Sequence, residues 1–230
     1  MSSFVLKLLG IFFMLCDHIS ITFFGYTTFW NVLGRLSFPL FAFQITQGYV
    51  HTSNLKKYLL RLLIFACISQ YPFYLFSKHF SADIHLNIFF TFLLGIIACL
   101  AFDKIKLIVL KLISIVGIIL LGELIKVDYG WFGITIILVF YIFRNHKIIM
   151  SSSIILLVFL KYINTMFLPA TINYSVPFFI ATCLSLIPIL LYNKKQGPKL
   201  KYLFYAFYPA HLLILAIIKQ FMWDLGDLTY

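Results

Sequence analysis

Apolar residues run through this chain in long blocks, without the alternation of a strand or the one-sided stripe of a surface helix. Each block approaches the roughly twenty residues that a helix needs to cross a bilayer. Charged residues and Pro, Gly or Asn separate the blocks, so the pattern predicts an all-α, polytopic membrane bundle of about nine transmembrane helices. The predicted spans are residues 4–24, 31–51, 57–77, 86–103, 105–124, 129–144, 147–163, 175–192 and 201–221.

Composition supports a membrane environment. Hydrophobic residues make up 63% of the chain and charged residues 11%, with a mean hydropathy of +1.02, whereas a soluble domain is nearer half apolar and a quarter charged. The net charge of +11 would suggest nucleic acid in a soluble protein, but in a membrane protein basic residues set orientation, so no nucleic-acid partner is predicted. The four cysteines lie in apolar blocks without a CxxC spacing, so neither a disulfide nor a metal site is indicated.

The basic residues indicate how the bundle is oriented. With the amino terminus placed in the cytoplasm, thirteen of the 18 Lys and Arg residues fall on the inner side, four fall outside, and Arg35 lies within a span. This bias predicts a cytoplasmic amino terminus and an external carboxyl terminus. The inner residues are Lys7, Lys56, Lys57, Arg61, Lys104, Lys106, Lys111, Arg144, Lys147, Lys194, Lys195, Lys199 and Lys201. The acidic residues assigned to the outside are Asp83, Glu123, Asp128, Asp224 and Asp227.

The domain organisation is predicted to be simple. The first block lacks a small-residue cleavage site and contains Asp17 and His18, so we interpret it as a retained helix and not as a signal peptide. No internal repeat is evident, and the loops are short. We therefore expect residues 1–230 to form one multi-pass domain in the cell (plasma) membrane.

Ionisable residues inside the spans are the first candidates for function, because burying a charge in hydrocarbon costs at least about 2.5–3.5 kcal/mol on insertion scales. Asp17 and His18 in the first span and Arg35 in the second lie at similar depth near the outer side. An ion pair between Arg35 and Asp17 would bury both charges and could be purely architectural. His18 beside it could act as a general base, although buried histidines are often only structural.

Further polar residues lie at the same depth or lead to it. Asn87 begins the fourth span, and Tyr208 and His211 lie in the ninth span around Pro209. Gln44 and neighbouring polar residues of the second span either hydrogen bond between helices or line a polar route from the cytoplasm. The chain contains none of the HExxH, GxSxG, Walker and GxGxxG patterns. The sequence therefore gives no support for a zinc or serine hydrolase, a nucleotide hydrolase or a dinucleotide-binding protein.

Taken in order, several of these segments resemble the TraX family of membrane proteins, the group that contains the acetylase of conjugative F-pilin. The resemblance covers nearly the whole chain, and Gln47 departs from it, since an acidic residue is expected there. The matching segments are Met14-Leu-Cys-Asp17-His18-Ile, Gly34-Arg35-Leu-Ser-Phe-Pro39-Leu-Phe-Ala-Phe43, Gln47-Gly48-Tyr-Val-His51-Thr52, Leu60-Arg61-Leu-Leu, Ser69-Gln70-Tyr-Pro72, Leu86-Asn87-Ile-Phe-Phe-Thr91, Tyr129-Gly130-Trp-Phe-Gly133 and Phe204-Tyr205-Ala-Phe-Tyr208-Pro209-Ala-His211-Leu.

The resemblance implies acetyl transfer from cytoplasmic acetyl-CoA to an amine or hydroxyl on an external protein, peptide or glycan. His18 is then the expected general base, with His211 as a second candidate, and a covalent acetyl-histidine stays open. Asp17 would orient His18 or pair with Arg35, and Asn87 would stabilise the oxyanion. The expected donor-binding residues are Arg35, Lys56, Lys57, Arg61, Gln44 and Tyr208, the basic ones as phosphate contacts.

Two other classes of function stay open from the sequence. A proton-coupled permease would use Asp17, His18 and His211 as a relay. A noncatalytic factor for assembling surface appendages would need no chemistry at these residues.

Overall fold

A computed structural model describes residues 1–81, 85–198 and 200–227. Asp83 and Lys199, which contributed to the predicted orientation, lie outside the described residues. Eleven helices account for most of the described chain. They are α1 (Ser3–Phe23), α2 (Phe29–Gly34), α3 (Ser37–His51), α4 (Leu55–Ser77), α5 (Ile88–Lys104), α6 (Ile108–Leu124), α7 (Gly130–Ile142), α8 (Lys147–Met166), α9 (Ile172–Leu184), α10 (Leu186–Leu190) and α11 (Lys201–Asp227).

The helices confirm the predicted class of a helical membrane bundle. Each of the nine predicted spans corresponds to one helix or, for the second and eighth, to a pair interrupted by one or two residues. Five segments within the described chain are long and apolar enough to cross a membrane by themselves. The other spans are built from shorter helices, with 17 residues in α5 and α6, 13 in α7, and 6 and 15 in the pair α2 and α3. The protein is therefore a multi-pass membrane protein.

Polar residues at the breaks in hydropathy start several of the helices. The side chain of Ser2 accepts a hydrogen bond from the first turn of α1, and Asn54 and Asn87 do the same for α4 and α5. Thr28 and Asn31 form a reciprocal capping box at the start of α2. These caps satisfy backbone N–H groups that a helix end leaves without an intrahelical acceptor.

Close packing joins α5, α6 and α7, and α6 contributes only Gly122 to the buried interior. Gly95 of α5 lies against Ile137 of α7, and Gly122 of α6 lies against Ile134. In lipid there is no hydrophobic drive between helices, so small residues that let backbones approach are a main source of association. The largest fully buried side chains of α7 are Phe132 and Phe140.

Loops that were assigned to the same side of the membrane meet at the same end of the bundle. The amino terminus bonds to the carbonyl of Leu191, and the Ser3 N–H donates to the carbonyl of Lys195 at 2.8 Å. At the other end the Lys219 ammonium donates to the carbonyl of Thr22 at 2.9 Å. The helices thus run in the directions that the predicted spans require, while the side that faces the cytoplasm stays a prediction.

We expect the orientation to be measurable with single cysteines placed at the two ends of the bundle. In a cysteine-free variant, Thr27→Cys should react with a membrane-impermeant maleimide added to intact cells. Ser53→Cys should react only after the cells are opened, because a cytoplasmic loop is shielded by the bilayer. Both positions are exposed in the structure, so neither is protected by packing. The reverse labelling pattern would contradict the predicted orientation.

Candidate active site

An ion pair fastens α1 to α2 near the outer end. The Arg35 guanidinium donates to the Asp17 carboxylate at 2.7 Å, which confirms the predicted contact. Asn31 is fully buried and donates to the same carboxylate oxygen at 3.2 Å. A side-chain carbon at Gly34 would collide with Asp17, so only glycine allows α2 to approach this closely. The carboxylate charge is therefore both paired and hydrogen bonded, as burial requires.

Two histidines from opposite ends of the chain meet beside this pair. Nδ1 of His18 lies 2.7 Å from Nε2 of His211. Nδ1 of His211 lies 2.8 Å from the carbonyl oxygen of Phe207, one turn earlier on α11. A carbonyl can only accept, so Nδ1 of His211 carries the proton and its Nε2 is the acceptor when the ring is neutral.

This chain of hydrogen bonds fixes the tautomer of His18. Its Nδ1 must donate to His211, which leaves the lone pair on Nε2. His18 lines the large internal cavity of the protein, whereas His211 is 5% exposed and lies behind it. The arrangement is that of a base held by a second residue and aimed by a third group, the Phe207 carbonyl. The two predicted base candidates are thus partners in one unit.

Helix geometry explains why Asp17 and His18 contact different helices. Consecutive residues on an α-helix point about 100° apart. With Asp17 turned toward α2 and bonded to Arg35, His18 is turned toward α11 and meets His211. Asp17 therefore pairs with Arg35, and its carboxylate makes no hydrogen bond to His18 within the described part of the chain.

A cavity of about 710 Å³ extends from the inner end of the bundle to the level of Asp17 and His18. At the inner end it is lined by the loop of residues 51–54 and by residues 196–198, and at the outer end by Asp17, His18 and Asp128. Ser3 and His18 both line it, and they are fifteen residues apart on α1, so the cavity spans roughly 22 Å of the bundle. Its volume is in the range of binding sites for small molecules and cofactors.

Most predicted donor-binding residues line this cavity. They are Gln44, Lys57, Arg61 and Tyr208. Lys56 was expected to contact phosphate, but it is exposed and is not part of the lining, because adjacent residues of α4 point to different sides. Arg35 is likewise absent from the lining and is occupied by Asp17.

The expected oxyanion role of Asn87 does not fit its surroundings. Asn87 is fully buried and is not part of the cavity lining. Its amide nitrogen donates to the carbonyl of Ala66 at 2.7 Å and to Gln70 at 2.8 Å, and its oxygen caps α5. Both amide hydrogens are therefore used, and no donor is left for a substrate.

The loop before α7 contributes two lining residues that the sequence prediction did not assign to the site. Tyr129 has a left-handed backbone (φ 63°), which is costly for a bulky residue, and its ring stacks on Phe38 with centroids 3.8 Å apart. Asp128 is anchored by its N–H to the carbonyl of Leu86 at 2.8 Å. Burial raises the pKa of Asp128 to about 6 against the opposing effect of the Lys161 ammonium. The turn preference of the Asp-Tyr-Gly sequence was the available signal.

Across residues 1–81, 85–198 and 200–227, no three His, Cys, Asp or Glu side chains lie close enough together to hold a metal ion.

The family model described as TraX protein matches residues 2–219. The chain belongs to the TraX family. It is also similar to the probable fimbrial assembly protein FimC, serogroup H1, of Dichelobacter nodosus, with 29% identity over 247 aligned positions that cover 96% of this chain and 97% of the relative. No solved structure matches the chain.

Removing one partner of the ion pair should destabilise the protein more than removing both partners. Arg35→Gln leaves the Asp17 carboxylate buried without its cation, and we expect a loss of about 3 kcal/mol in the free energy of unfolding. The double variant Asp17→Asn with Arg35→Gln should recover part of that loss, because no charge is then left unpaired. Unfolding in mixed micelles, followed for all variants of the cycle, measures the coupling. Equal stability of the Arg35 variant and the wild type would contradict this.

Proposed function

We propose that the protein is a membrane-embedded acetyltransferase that takes acetyl groups from cytoplasmic acetyl-CoA and passes them to an amine or hydroxyl at the outer side. The observation that carries the proposal is the His18–His211 pair, at the outer end of a cavity that reaches the cytoplasmic loops. A thioester donor that enters from the inner side could reach His18 through the cavity. The donor would then not have to cross the bilayer, and neither would an acceptor on the outer side.

His18 would act as the general base. As the acceptor nitrogen or oxygen attacks the thioester carbonyl carbon, Nε2 of His18 takes the proton from the acceptor. The carbon–sulfur bond then breaks, the coenzyme A thiolate leaves, and it receives the proton from the imidazolium. His211 is a positioning residue, since it holds the tautomer that leaves the Nε2 lone pair of His18 available.

Tyr208 is the group that we propose for the developing oxyanion, in place of Asn87. It lines the cavity, and the centre of its ring lies 5.8 Å from that of the His211 ring. A hydroxyl donor held in a site away from bulk water stabilises the negative charge of a tetrahedral intermediate.

The acceptor that we propose is a subunit of a surface appendage, located on the external side of the cell membrane. Support comes from the fimbrial assembly name of the similar protein and from the pilin acetylation associated with the family. Peptides and glycans stay alternatives, because the fold does not define the acceptor.

Substitution of the two histidines should separate their roles. His18→Ala should lower acetyl transfer by about 10²- to 10⁴-fold, because the base is gone. His211→Phe keeps a ring but removes the acceptor for Nδ1 of His18, so kcat should fall while the KM for acetyl-CoA stays the same. His211→Gln restores an acceptor oxygen and should recover part of the rate. The measurement is the release of free coenzyme A thiol by purified protein given acetyl-CoA and acceptor peptides.

Proteoliposomes distinguish the proposal from its rivals. Undiminished transfer by a folded His18→Ala variant would remove His18 from the mechanism. Substrate-driven proton flux without release of coenzyme A would instead favour a permease in which the histidine pair is a relay. The absence of both signals, with loss of appendages in a deletion strain, would favour a noncatalytic assembly factor.

A further inference from the structure

Two cations in the inner half of the cavity have no acidic partner. Lys7 of α1 and Arg61 of α4 both line the cavity and are half-buried. Within the part of the chain that the structure describes, no carboxylate lies within 4 Å of either cation. An ionisable group in a membrane span is costly, and where it lacks a counter-ion in the protein it marks a functional site by default.

Aromatic rings of α11 hold these two cations at the same depth. The Lys7 ammonium lies 5.4 Å from the centre of the Phe204 ring, and the Arg61 guanidinium lies 5.8 Å from the centre of the Tyr205 ring. Phe204 and Tyr205 are consecutive, so the cations flank one level of the helix. Aromatic faces attract and position cations without neutralising their charge. The pair is therefore available to an anion.

Ser3, one turn before Lys7 on α1, holds a buried side-chain amide. The Ser3 hydroxyl donates to Oε1 of Gln44 at 2.6 Å, a distance that suits an O–H donor better than an N–H donor. This contact orients the amide, and Nε2 of Gln44 has no hydrogen-bond partner. Gln44 is only 7% exposed and lines the cavity. Since Ser3 and Lys7 are one turn apart on α1, the free amide and the ammonium share one wall.

A buried donor without an acceptor is costly and rare, so its presence in a cavity wall indicates a ligand oxygen. Two cations and a free N–H group around one level of the cavity suit a ligand with several anionic oxygens. Phosphate groups have this chemistry, and Arg and Lys are the residues that commonly bind them.

We infer that Lys7, Arg61 and Gln44 form a diphosphate subsite for the nucleotide end of the acetyl donor. The inference rests on the proposed function, and the depth of the residues supports it. Lys7 is eleven residues from His18 on α1, roughly 16 Å, and Tyr205 is six residues from His211 on α11, roughly 9 Å. Roughly thirteen bonds separate the sulfur of coenzyme A from its first phosphorus, which spans roughly 15 Å when extended. A thioester at His18 therefore lets the diphosphate reach the subsite, roughly 9 to 16 Å away, with the pantetheine arm extended or partly bent.

Direct binding tests the subsite independently of transfer. Calorimetric titration of purified protein in phospholipid-free micelles should give a lower Kd for coenzyme A than for pantetheine, which lacks the phosphates. Lys7→Gln and Gln44→Leu should each raise the Kd for coenzyme A by roughly tenfold to a hundredfold and leave that for pantetheine unchanged. Lys56→Gln is the matched control, because this exposed lysine of α4 does not line the cavity, and it should change neither Kd.

Three outcomes would overturn the subsite. Equal affinity of the wild type for coenzyme A and pantetheine would show that the phosphates are not bound. An equal loss for both ligands in the Lys7 variant would show a structural effect only. The third outcome concerns lipid headgroups and is measured in nanodiscs. If phosphatidylglycerol raises the Kd for coenzyme A relative to phosphatidylcholine in the wild type but not in Lys7→Gln, the cations bind a lipid headgroup.

The binding and transfer measurements can fail separately. Phosphate-dependent binding of coenzyme A without acetyl transfer would overturn the proposed function and support the subsite. Acetyl transfer with Lys7 and Gln44 variants that match the wild type in KM for acetyl-CoA would overturn the subsite and support the proposed function.

Discussion

The ion pair between Asp17 and Arg35 is the interaction on which the rest of the site depends. A carboxylate this deep in a bilayer must be neutralised, and the closest available cation lies on the next helix. Gly34 lets that helix come near enough, and Asn31 donates a second hydrogen bond to the carboxylate oxygen that Arg35 contacts. With Asp17 held in this direction, the rotation of α1 is set, and His18 has to face α11.

The histidine pair follows from that rotation. Nothing in the immediate sequence of His18 supplies a partner for its Nδ1, and the partner comes instead from a helix 193 residues later in the chain. The Phe207 carbonyl then sets the tautomer of His211, and through it the tautomer of His18. The charge pair and the proposed base are thus adjacent in sequence but belong to two separate contacts of the bundle.

Charge is distributed unevenly along the cavity. Lys7, Lys57 and Arg61 line its inner half, whereas Asp17 and Asp128 line its outer end. The cation of the outer ion pair, Arg35, lies behind the wall. An anion would therefore meet a favourable potential at the inner mouth, and low-dielectric walls strengthen that attraction relative to water.

The sequence by itself determined the membrane class, the nine spans and the ion pair between the first two of them. These depend on local properties, since hydropathy is summed over one segment and the first two spans are joined by a short loop. Only the tertiary structure decided that His18 pairs with His211, that Asn87 is fully used as a cap and that Lys56 faces away from the cavity. It also placed Lys7, Gln44 and Arg61 around one level. Such contacts depend on the rotation of each helix about its axis and on the packing of helices that are distant in sequence, and hydropathy does not encode either of these.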